Sequence, residues 1–184
     1  MFKQTGKISD HIGILKMASD ARMLIGHCRF ATDGDPRYNI NNHPHAVDGG
    51  WFVHNGIIGQ NYARLVEDRD LHCISRCDSE VIGRLVEETE GAMLERLIDA
   101  CHVATNNALV VLGLWKNPDQ LLAVRSRNPL YLGETKNGYY FASLRDSLPD
   151  PFMVRDNSAL KFSADKSGYF YEMTAFDASP ASAT

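Results

Sequence analysis

The first half of the chain has apolar and polar positions that predict two short strands followed by helices. The runs RMLIGHCRF (22–30) and GWFVH (50–54) are apolar and bounded by polar residues, which is typical of buried strands. Between them lies a long stretch rich in Gly, Pro, Asn and Asp, and loops of that length usually carry function. Apolar residues then recur at helical spacing over about 58 to 68, from Asp78 onwards, and from Ala92 to about Ala104. We expect these apolar helix faces to pack on a sheet.

The second half changes to a strand pattern. The runs ALVVLGLW, QLLAVRS, PLYLGET and YYFASL are separated by turn signals such as KNPD and KNG, so they predict successive antiparallel strands, most simply a meander. Strands before and after a group of helices favour an α+β layered domain over a doubly wound parallel sheet. We expect one domain over 1–176 and a disordered tail over 177–184, because DASPASAT is small and polar.

Composition and charge narrow the function classes. A chain of 184 residues with 44% hydrophobic content can bury one sizeable core. The formal charge of −4 and the scattered Lys and Arg residues argue against nucleic acid and anionic membranes as partners. The N-terminus lacks the apolar run of a signal peptide, and the longest apolar run is too short to span a bilayer, so a cytoplasmic location is expected. Four cysteines are too few for a disulfide scaffold, and we expect reduced thiols.

The histidines raise the question of a metal. His43, His45 and His54, with Asp33, could be written as a zinc set, since imidazole is a common metal ligand. No familiar ligand spacing such as H-E-x-x-H is present, however. We therefore expect neither a metal nor any other cofactor.

Four segments follow one another in an order that points to a family: GHCRFATDGDP (26–36), NNHPH (41–45), VHNGIIGQNY (53–62) and CDSEVIGRLVEE (77–88). With TGKI near the start, and AVRSRNPLYLG and FAS further on, they closely resemble the glutaminase domain of class II glutamine amidotransferases, an N-terminal-nucleophile group, over about Gly6 to Phe141. The resemblance implies a four-layer αββα sandwich of antiparallel sheets, here incomplete at its N-terminus. It also implies hydrolysis of the glutamine side-chain amide, with ammonia supplied to a synthetase or acceptor-domain partner and no cofactor required.

The resemblance assigns the two charged ends of glutamine to three residues. Arg29 matches the arginine that holds the α-carboxylate, and its planar guanidinium suits bidentate binding; taken alone, it would be an ordinary surface charge. Thr32 matches a hydroxyl that assists the same carboxylate, and taken alone would be a turn residue. Asp78 matches the aspartate that binds the α-ammonium group. Its alternative role is to cap a helix, although Ser79 could cap that helix instead.

The resemblance also assigns the reacting amide. Asn55 and Gly56 match the family's oxyanion hole, in which a side-chain amide and a backbone N–H donate to the developing negative charge. The alternative is an ordinary Asn-Gly turn. Phe30 stands where the family usually has a tryptophan that gates ammonia passage, and a plain core aromatic is the alternative.

The family's nucleophile is a cysteine at the mature N-terminus, whereas this chain begins Met1-Phe2-Lys3. TGKI aligns after the nucleophile strand, so we expect the nucleophile segment to lie outside this sequence. Cys28 is expected to face the core, opposite Arg29, because neighbouring strand residues point to opposite faces. Cys77 is a poor substitute because the adjacent Asp78 carboxylate raises a thiol pKa.

Three interpretations follow for the whole protein. It is an amidotransferase whose nucleophile segment is missing from this chain, a glutamine-binding pseudoenzyme or regulatory subunit, or an unrelated hydrolase. Retention of the substrate-binding residues argues against the third interpretation, and an oxyanion hole favours the first because a purely binding protein has no use for it. Missing strands would leave an unpaired sheet edge, so we expect an oligomer, strand donation by another chain, or poor solubility.

Overall fold

The computed structural model describes residues 1–59, 61–105, 107–165 and 168–177. The strands of the described residues form two antiparallel sheets: a six-stranded sheet in the order β1-β2-β3-β4-β8-β9 and a three-stranded sheet in the order β6-β5-β7. Their bounds are β1 (His45–Val47), β2 (Gly50–Gly56), β3 (Leu109–Trp115), β4 (Gln120–Ser126), β5 (Tyr131–Thr135), β6 (Gly138–Ala142), β7 (Phe152–Met153), β8 (Ser158–Asp165) and β9 (Gly168–Ala175). The predicted tail lies outside the described residues from position 178 onwards.

A helical layer covers one face of the large sheet. After the short N-terminal helix α1 (Gly13–Met17), the chain forms α2 (Asn61–Asp68), α3 (Glu80–Glu88) and α4 (Met93–Ala104). The apolar face predicted for α3 is buried, and α4 contributes a second buried stripe. One core cluster joins these faces to the sheet, with members that include Val81, Ile82, Leu85, Val86, Leu97, Ala100, Phe52, Leu109, Val111 and Val124. The three helices predicted from apolar spacing are therefore confirmed, although α2 begins about three residues later than expected.

The opposite face of the large sheet packs on the small sheet. A second core cluster joins them, built from Val110, Leu121, Ala123, Leu160 and Phe162 of the large sheet together with Leu130, Leu132 and Val154. The molecule is thus a helical layer, a six-stranded sheet and a smaller sheet in succession, which confirms the predicted α+β class with antiparallel sheets. No helix in the described part of the chain combines the length and the hydropathy needed to cross a membrane.

The predicted meander is correct for local pairs but wrong for the whole half. The β3–β4 and β5–β6 hairpins form as expected. After β4, however, the chain crosses to the small sheet, and β8 and β9 return to the large sheet beside β4. Turn residues determine which neighbours pair, but the choice of sheet depends on long-range packing that local patterns do not encode.

The predicted strand over 22–30 is also wrong. This segment is extended, but it pairs with no strand among the described residues. Its side chains still alternate, with Ile25, His27 and Arg29 half-buried and Leu24 and Cys28 exposed. Alternating apolar residues predict which face of an extended segment is buried. A strand also needs a neighbouring backbone to hydrogen-bond with, and the alternation does not predict that partner.

Candidate active site

A cavity of about 900 Å³ opens where segment 24–30 faces the end of β2 and the start of α3. The residues that the sequence placed at the site all line this cavity: Arg29, Phe30, Thr32, Asn55, Gly56 and Asp78. Apolar residues of the sheets form part of its wall, including Val53, Val110, Leu112 and Leu130. Residues separated by about 50 positions in sequence therefore share one space large enough for an amino acid.

Asn55 and Gly56 are the last two residues of β2, so they do not form an ordinary turn. Gly56 pairs with Leu109 on β3. A Cβ atom at position 56 would lie 2.6 Å from His54 Nε2 and 2.7 Å from the carbonyl oxygen of Ala108. Glycine is needed here because the backbone is crowded, and the exposed Asn55 side chain is left free to face the cavity.

Two further asparagines hold this end of β2. The Asn128 side-chain amide donates to the carbonyl oxygens of Asn55 at 2.9 Å and Ala108 at 3.3 Å. Asn107 Nδ2 donates to the carbonyl oxygen of Ile57 at 3.1 Å. The family resemblance gave neither asparagine a role, although Asn128 lies within the AVRSRNPLYLG run and directly before a proline.

The buried side chain of Arg125 in turn holds the loop that carries Asn128. Its Nε donates to the carbonyl oxygen of Asn128 at 2.7 Å, and its Nη1 donates to the carbonyl oxygen of Val154 at 2.6 Å. Arg125 is only 5% exposed, so it needs such partners for its buried charge. A chain of hydrogen bonds thus runs from Arg125 through Asn128 to Asn55.

Asp78 is buried at the start of α3 and holds the segment that follows β2. Its Oδ2 accepts the backbone N–H of Ile58 at 2.8 Å. Its Oδ1 has only longer contacts, 3.5 Å from Ser79 Oγ and 4.0 Å from Cys77 Sγ. The N-cap residue of α3 is Ser79, which makes no side-chain capping bond, so Asp78 does not cap this helix.

Arg29 is held by the loop that follows it and keeps part of its guanidinium available. Nη2 donates to the carbonyl oxygen of Asp33, and Nη1 donates to the carbonyl oxygen of Gly34 at 3.2 Å and to Asn42 Oδ1 at 3.4 Å. Nε makes no hydrogen bond within the described ranges. Since Nε–H and one Nη2–H form one edge of the fork, that edge can bind a carboxylate.

The remaining predicted residues lie at the rim. Thr32 is exposed, and Phe30 is 93% exposed at the cavity mouth. Cys28 is exposed and lines the cavity, so the expectation that it faces the core is wrong. The segment has no sheet behind it at that point, and its outward face meets solvent rather than a core.

Glu80 fixes the loop that leads into α3, a role that sequence analysis missed. Its Oε1 accepts the backbone N–H of Ile74 at 3.0 Å and its Oε2 accepts that of Ser75 at 2.7 Å. Burial raises the pKa of Glu80, but the hydrogen bonds from Ser75 and Ile74 outweigh it, and the pKa is lowered overall. A buried, ionised carboxylate therefore sets the path of the residues before Asp78.

Buried histidines line the far side of the site. His54 Nδ1 lies 2.9 Å from Ser79 Oγ. Burial lowers the pKa of both His45 and His54 to about 4 and lowers that of His43 well below its usual value, so all three are neutral at pH 7. Burial also raises the pKa of the Cys77 thiol, and raises that of Cys73 to about 11.

Comparisons with known proteins point to one family, although no protein-family model matches the chain. The chain is 31% identical over 171 residues to the glutamine–fructose-6-phosphate aminotransferase (isomerizing) of Helicobacter pylori, covering 87% of this chain and 28% of that protein. It is 31% identical over 144 residues to the Bacillus subtilis protein of the same name, covering 72% of this chain and 23% of that protein. The chain thus spans about a quarter of the length of these relatives.

Solved structures agree on the fold. A glutamine phosphoribosylpyrophosphate (PRPP) amidotransferase from B. subtilis, complexed with ADP and GMP, superimposes with a TM-score of 0.60 at 18% identity, covering 79% of this chain and 33% of that one. A structure described as the allosteric regulatory enzyme of purine biosynthesis superimposes with a TM-score of 0.55 at 18% identity, covering 73% of this chain and 31% of that one. The chain therefore has an N-terminal-nucleophile-hydrolase-like fold, as predicted.

Proposed function

The chain belongs to the class II glutamine amidotransferase family, and from that premise we propose that its cavity binds free glutamine and positions the side-chain amide for hydrolysis. The observation that carries the proposal is the shared cavity itself. A cation at Arg29, an anion at Asp78 and the Asn55-Gly56 pair all line it. An amino acid has two opposite charges at one end and, in glutamine, a carboxamide at the other, which matches this arrangement.

The proposed contacts use the groups that the structure leaves available. The free edge of the Arg29 guanidinium receives the α-carboxylate in a bidentate pair, with the Thr32 hydroxyl beside it. The α-ammonium group donates to Oδ1 of Asp78, because Oδ2 already accepts the Ile58 N–H. The Asn55 side-chain amide and the Gly56 N–H donate to the negatively charged oxygen that forms when the thiolate adds to the amide carbon.

The proposed reaction is acyl transfer through a cysteine. The thiol gives up its proton and the thiolate adds to the amide carbon; the C–N bond then breaks as the nitrogen takes up that proton and leaves as ammonia. Water hydrolyses the thioester to glutamate and restores the thiol. Burial raises the pKa of Cys73, Cys77 and Cys101, which disfavours their thiolates. The exposed Cys28 thiol also lines the cavity, so it is the alternative within this chain. Following the family resemblance, we assign the nucleophile to the N-terminal cysteine, supplied by a segment outside this sequence.

The ammonia is proposed to pass Phe30 on its way to a synthase or acceptor domain. Phe30 is almost fully exposed at the cavity mouth, so it can act as a gate once a partner covers that mouth. The oligomer and the cytoplasmic location expected from the sequence stay predictions.

A second candidate function is glutamine binding without turnover, as in a regulatory subunit. The raised pKa values of Cys73, Cys77 and Cys101 favour it for this chain acting alone. Both candidates share the same binding site and differ only in the fate of the amide.

Calorimetric titration with L-glutamine, and a separate enzymatic assay of released ammonia, would test the proposal. L-glutamine should bind, and D-glutamine, which misplaces one charged end, should bind more weakly. Binding with ammonia release supports the glutaminase, and binding without release supports the regulatory subunit. Release that disappears in Cys28→Ser would assign the nucleophile to the exposed thiol of this chain. Failure to bind L-glutamine would refute both candidates.

A further inference from the structure

Three potential metal ligands cluster beside the cavity and have no part in the proposed reaction. Ring nitrogens of His43 and His45 and the sulfur of Cys77 all lie within 4.8 Å of one another. The three residues are 8%, 3% and 1% exposed, so the cluster is almost completely shielded from water. They come from two separate segments, the start of β1 and the loop before α3.

The histidines of this cluster lack the hydrogen bonds that buried polar groups normally make. Neither ring nitrogen of His43 nor Nε2 of His45 has a hydrogen-bond partner among the described residues. Each unsatisfied buried group of this kind costs about 1–3 kcal/mol. The two rings meet edge to face with centroids 4.8 Å apart, a contact that satisfies no nitrogen lone pair. A cation bound here would take one ring nitrogen of each histidine as a ligand.

We propose that His43, His45 and Cys77 form a Zn²⁺ site, with a water molecule as the fourth ligand. Two imidazoles and a thiolate suit zinc and similar borderline-soft cations, whereas Mg²⁺ and Ca²⁺ prefer oxygen ligands. In a tetrahedral zinc site, ligand atoms lie about 3.5 Å apart, so the cluster has to contract by about 1 Å on binding. This site would tie the start of β1 to the residue before Asp78, and it is independent of the proposed glutaminase function.

The two imidazoles are neutral and ready to bind a metal at pH 7, whereas the Cys77 thiol first has to lose its proton. Burial lowers the pKa of His43 and His45, which leaves their lone pairs free, and it raises the pKa of the Cys77 thiol. Zinc binding therefore replaces the thiol proton, which passes to solvent, and affinity rises with pH. The charged and titratable groups around the cluster are Lys3, His27, Arg29, His54, Asp78 and Glu80.

Metal titration of the full chain, stripped with a chelator, tests the site directly. Co²⁺ should bind one equivalent per chain, with the visible bands of tetrahedral cobalt and a thiolate-to-cobalt charge-transfer band. Binding of either ion to the metal-free chain should release about one proton per ion in weak buffer, and Zn²⁺ should displace Co²⁺ without further proton release. X-ray absorption of the zinc form should show one sulfur at about 2.3 Å and nitrogen or oxygen at about 2.0 Å. A ligand shell without sulfur, or no stoichiometric binding, would overturn the proposal.

Variants locate the site within the chain. Cys77→Ser should abolish the charge-transfer band, and His45→Gln should weaken Zn²⁺ binding by more than the ~10–100-fold that loss of an outer hydrogen-bond partner costs. Cys28→Ser and His72→Gln replace exposed residues of the same types and should leave binding unchanged. A band that survives in Cys77→Ser, or disappears in Cys28→Ser, would assign the metal elsewhere. Should the buried variants not fold, the X-ray absorption measurement on the unmodified chain decides the question.

Discussion

The backbone N–H of Ile58 donates to Oδ2 of Asp78 across 2.8 Å, and both residues are buried. This bond joins the segment that follows β2 to the start of α3. It therefore sets the separation between the Asn55-Gly56 pair and the carboxylate, the groups proposed to meet opposite ends of one glutamine. A residue that the family resemblance assigns to substrate binding is also part of the scaffold of its own site.

Asp78→Asn should separate these two roles. The amide oxygen of Asn can still accept the Ile58 N–H, so folding should be retained, but the negative charge for the α-ammonium group is lost. A hydrogen bond to a charged group contributes about 1.5–3 kcal/mol, so glutamine affinity should fall by about 10- to 100-fold in calorimetric titration. Asp68→Asn, at an exposed position on α2, is the matched control and should bind normally. Unchanged affinity in Asp78→Asn would remove the α-ammonium role.

Arg29→Lys keeps the charge but loses the planar fork. Lysine cannot form a bidentate pair with the α-carboxylate, nor reproduce the bonds to the carbonyl oxygens of Asp33 and Gly34. Glutamine affinity should fall at least about 10-fold, with a similar loss for glutamate, which shares the α-carboxylate. Arg64→Lys, on the exposed face of α2, provides the comparison. Equal affinities for the two variants would contradict the assignment of Arg29.

Gly56→Ala should destabilise the end of β2. The new Cβ would lie 2.6 Å from Nε2 of the buried His54 and 2.7 Å from the carbonyl oxygen of Ala108, which belongs to the backbone. Overpacking of this kind costs about 1–3 kcal/mol of unfolding free energy, measurable by urea denaturation. Gly13→Ala, in helix α1, meets no atom within 4 Å and should leave the unfolding free energy unchanged or raise it by up to about 1 kcal/mol. If the two variants were equally stable, the crowding at Gly56 would not be what requires glycine there.

Asn128→Ala removes the donor to the carbonyl oxygens of Asn55 and Ala108 without touching the proposed substrate. We expect faster hydrogen exchange of the backbone amides around Asn55 and Gly56, with a loss of about 1–2 kcal/mol in the local opening free energy. Asn137→Ala, in the exposed β5–β6 turn, is the control. If the amides around Asn55 and Gly56 exchanged as slowly in Asn128→Ala as in the unmodified chain, Asn128 would not position the pair.

Stability should fall on acidification because of the buried histidines. The pKa of both His45 and His54 is lowered from 6.5 to about 4 by burial, so the unfolded chain binds protons more readily than the folded one. Their contribution is fully present above pH 6.5 and is lost as the pH falls towards 4, by about 3 kcal/mol for each. Urea denaturation of metal-free protein across this range would measure it. His45→Gln should flatten the profile, whereas the exposed His72→Gln should leave its slope unchanged.

Local patterns in the sequence were sufficient for the elements that are decided locally. The apolar stripe of α3 and the hairpins β3–β4 and β5–β6 were predicted because helical spacing and turn residues act within a few positions. The crossing to the small sheet after β4 and the return of β8 to pair with β4 were not predicted. They depend on packing between residues far apart in sequence, such as Val110 and Leu132, which belong to the same core cluster.

The residues of the candidate site likewise fall into those that a motif predicts and those that only the fold reveals. Motif resemblance identified the residues whose side chains or backbone face the cavity, including Arg29, Asn55 and Asp78. It missed Asn128 and Arg125 because each acts on backbone carbonyl oxygens, which every residue carries and no motif displays. It grouped His43 and His45 with His54 and Asp33 rather than with Cys77, since ligands that come from two segments have no recognisable spacing until the fold brings them together.

The buried Arg125 side chain has one further consequence. It donates hydrogen bonds to the carbonyl oxygen of Val154, a residue next to the small sheet, and to that of Asn128, which supports the end of β2. Any sliding of one sheet over the other would therefore displace Asn55 at the edge of the cavity. Sequence changes at the interface between the two sheets can in this way adjust the geometry of the cavity without altering Arg29, Asn55 or Asp78 themselves.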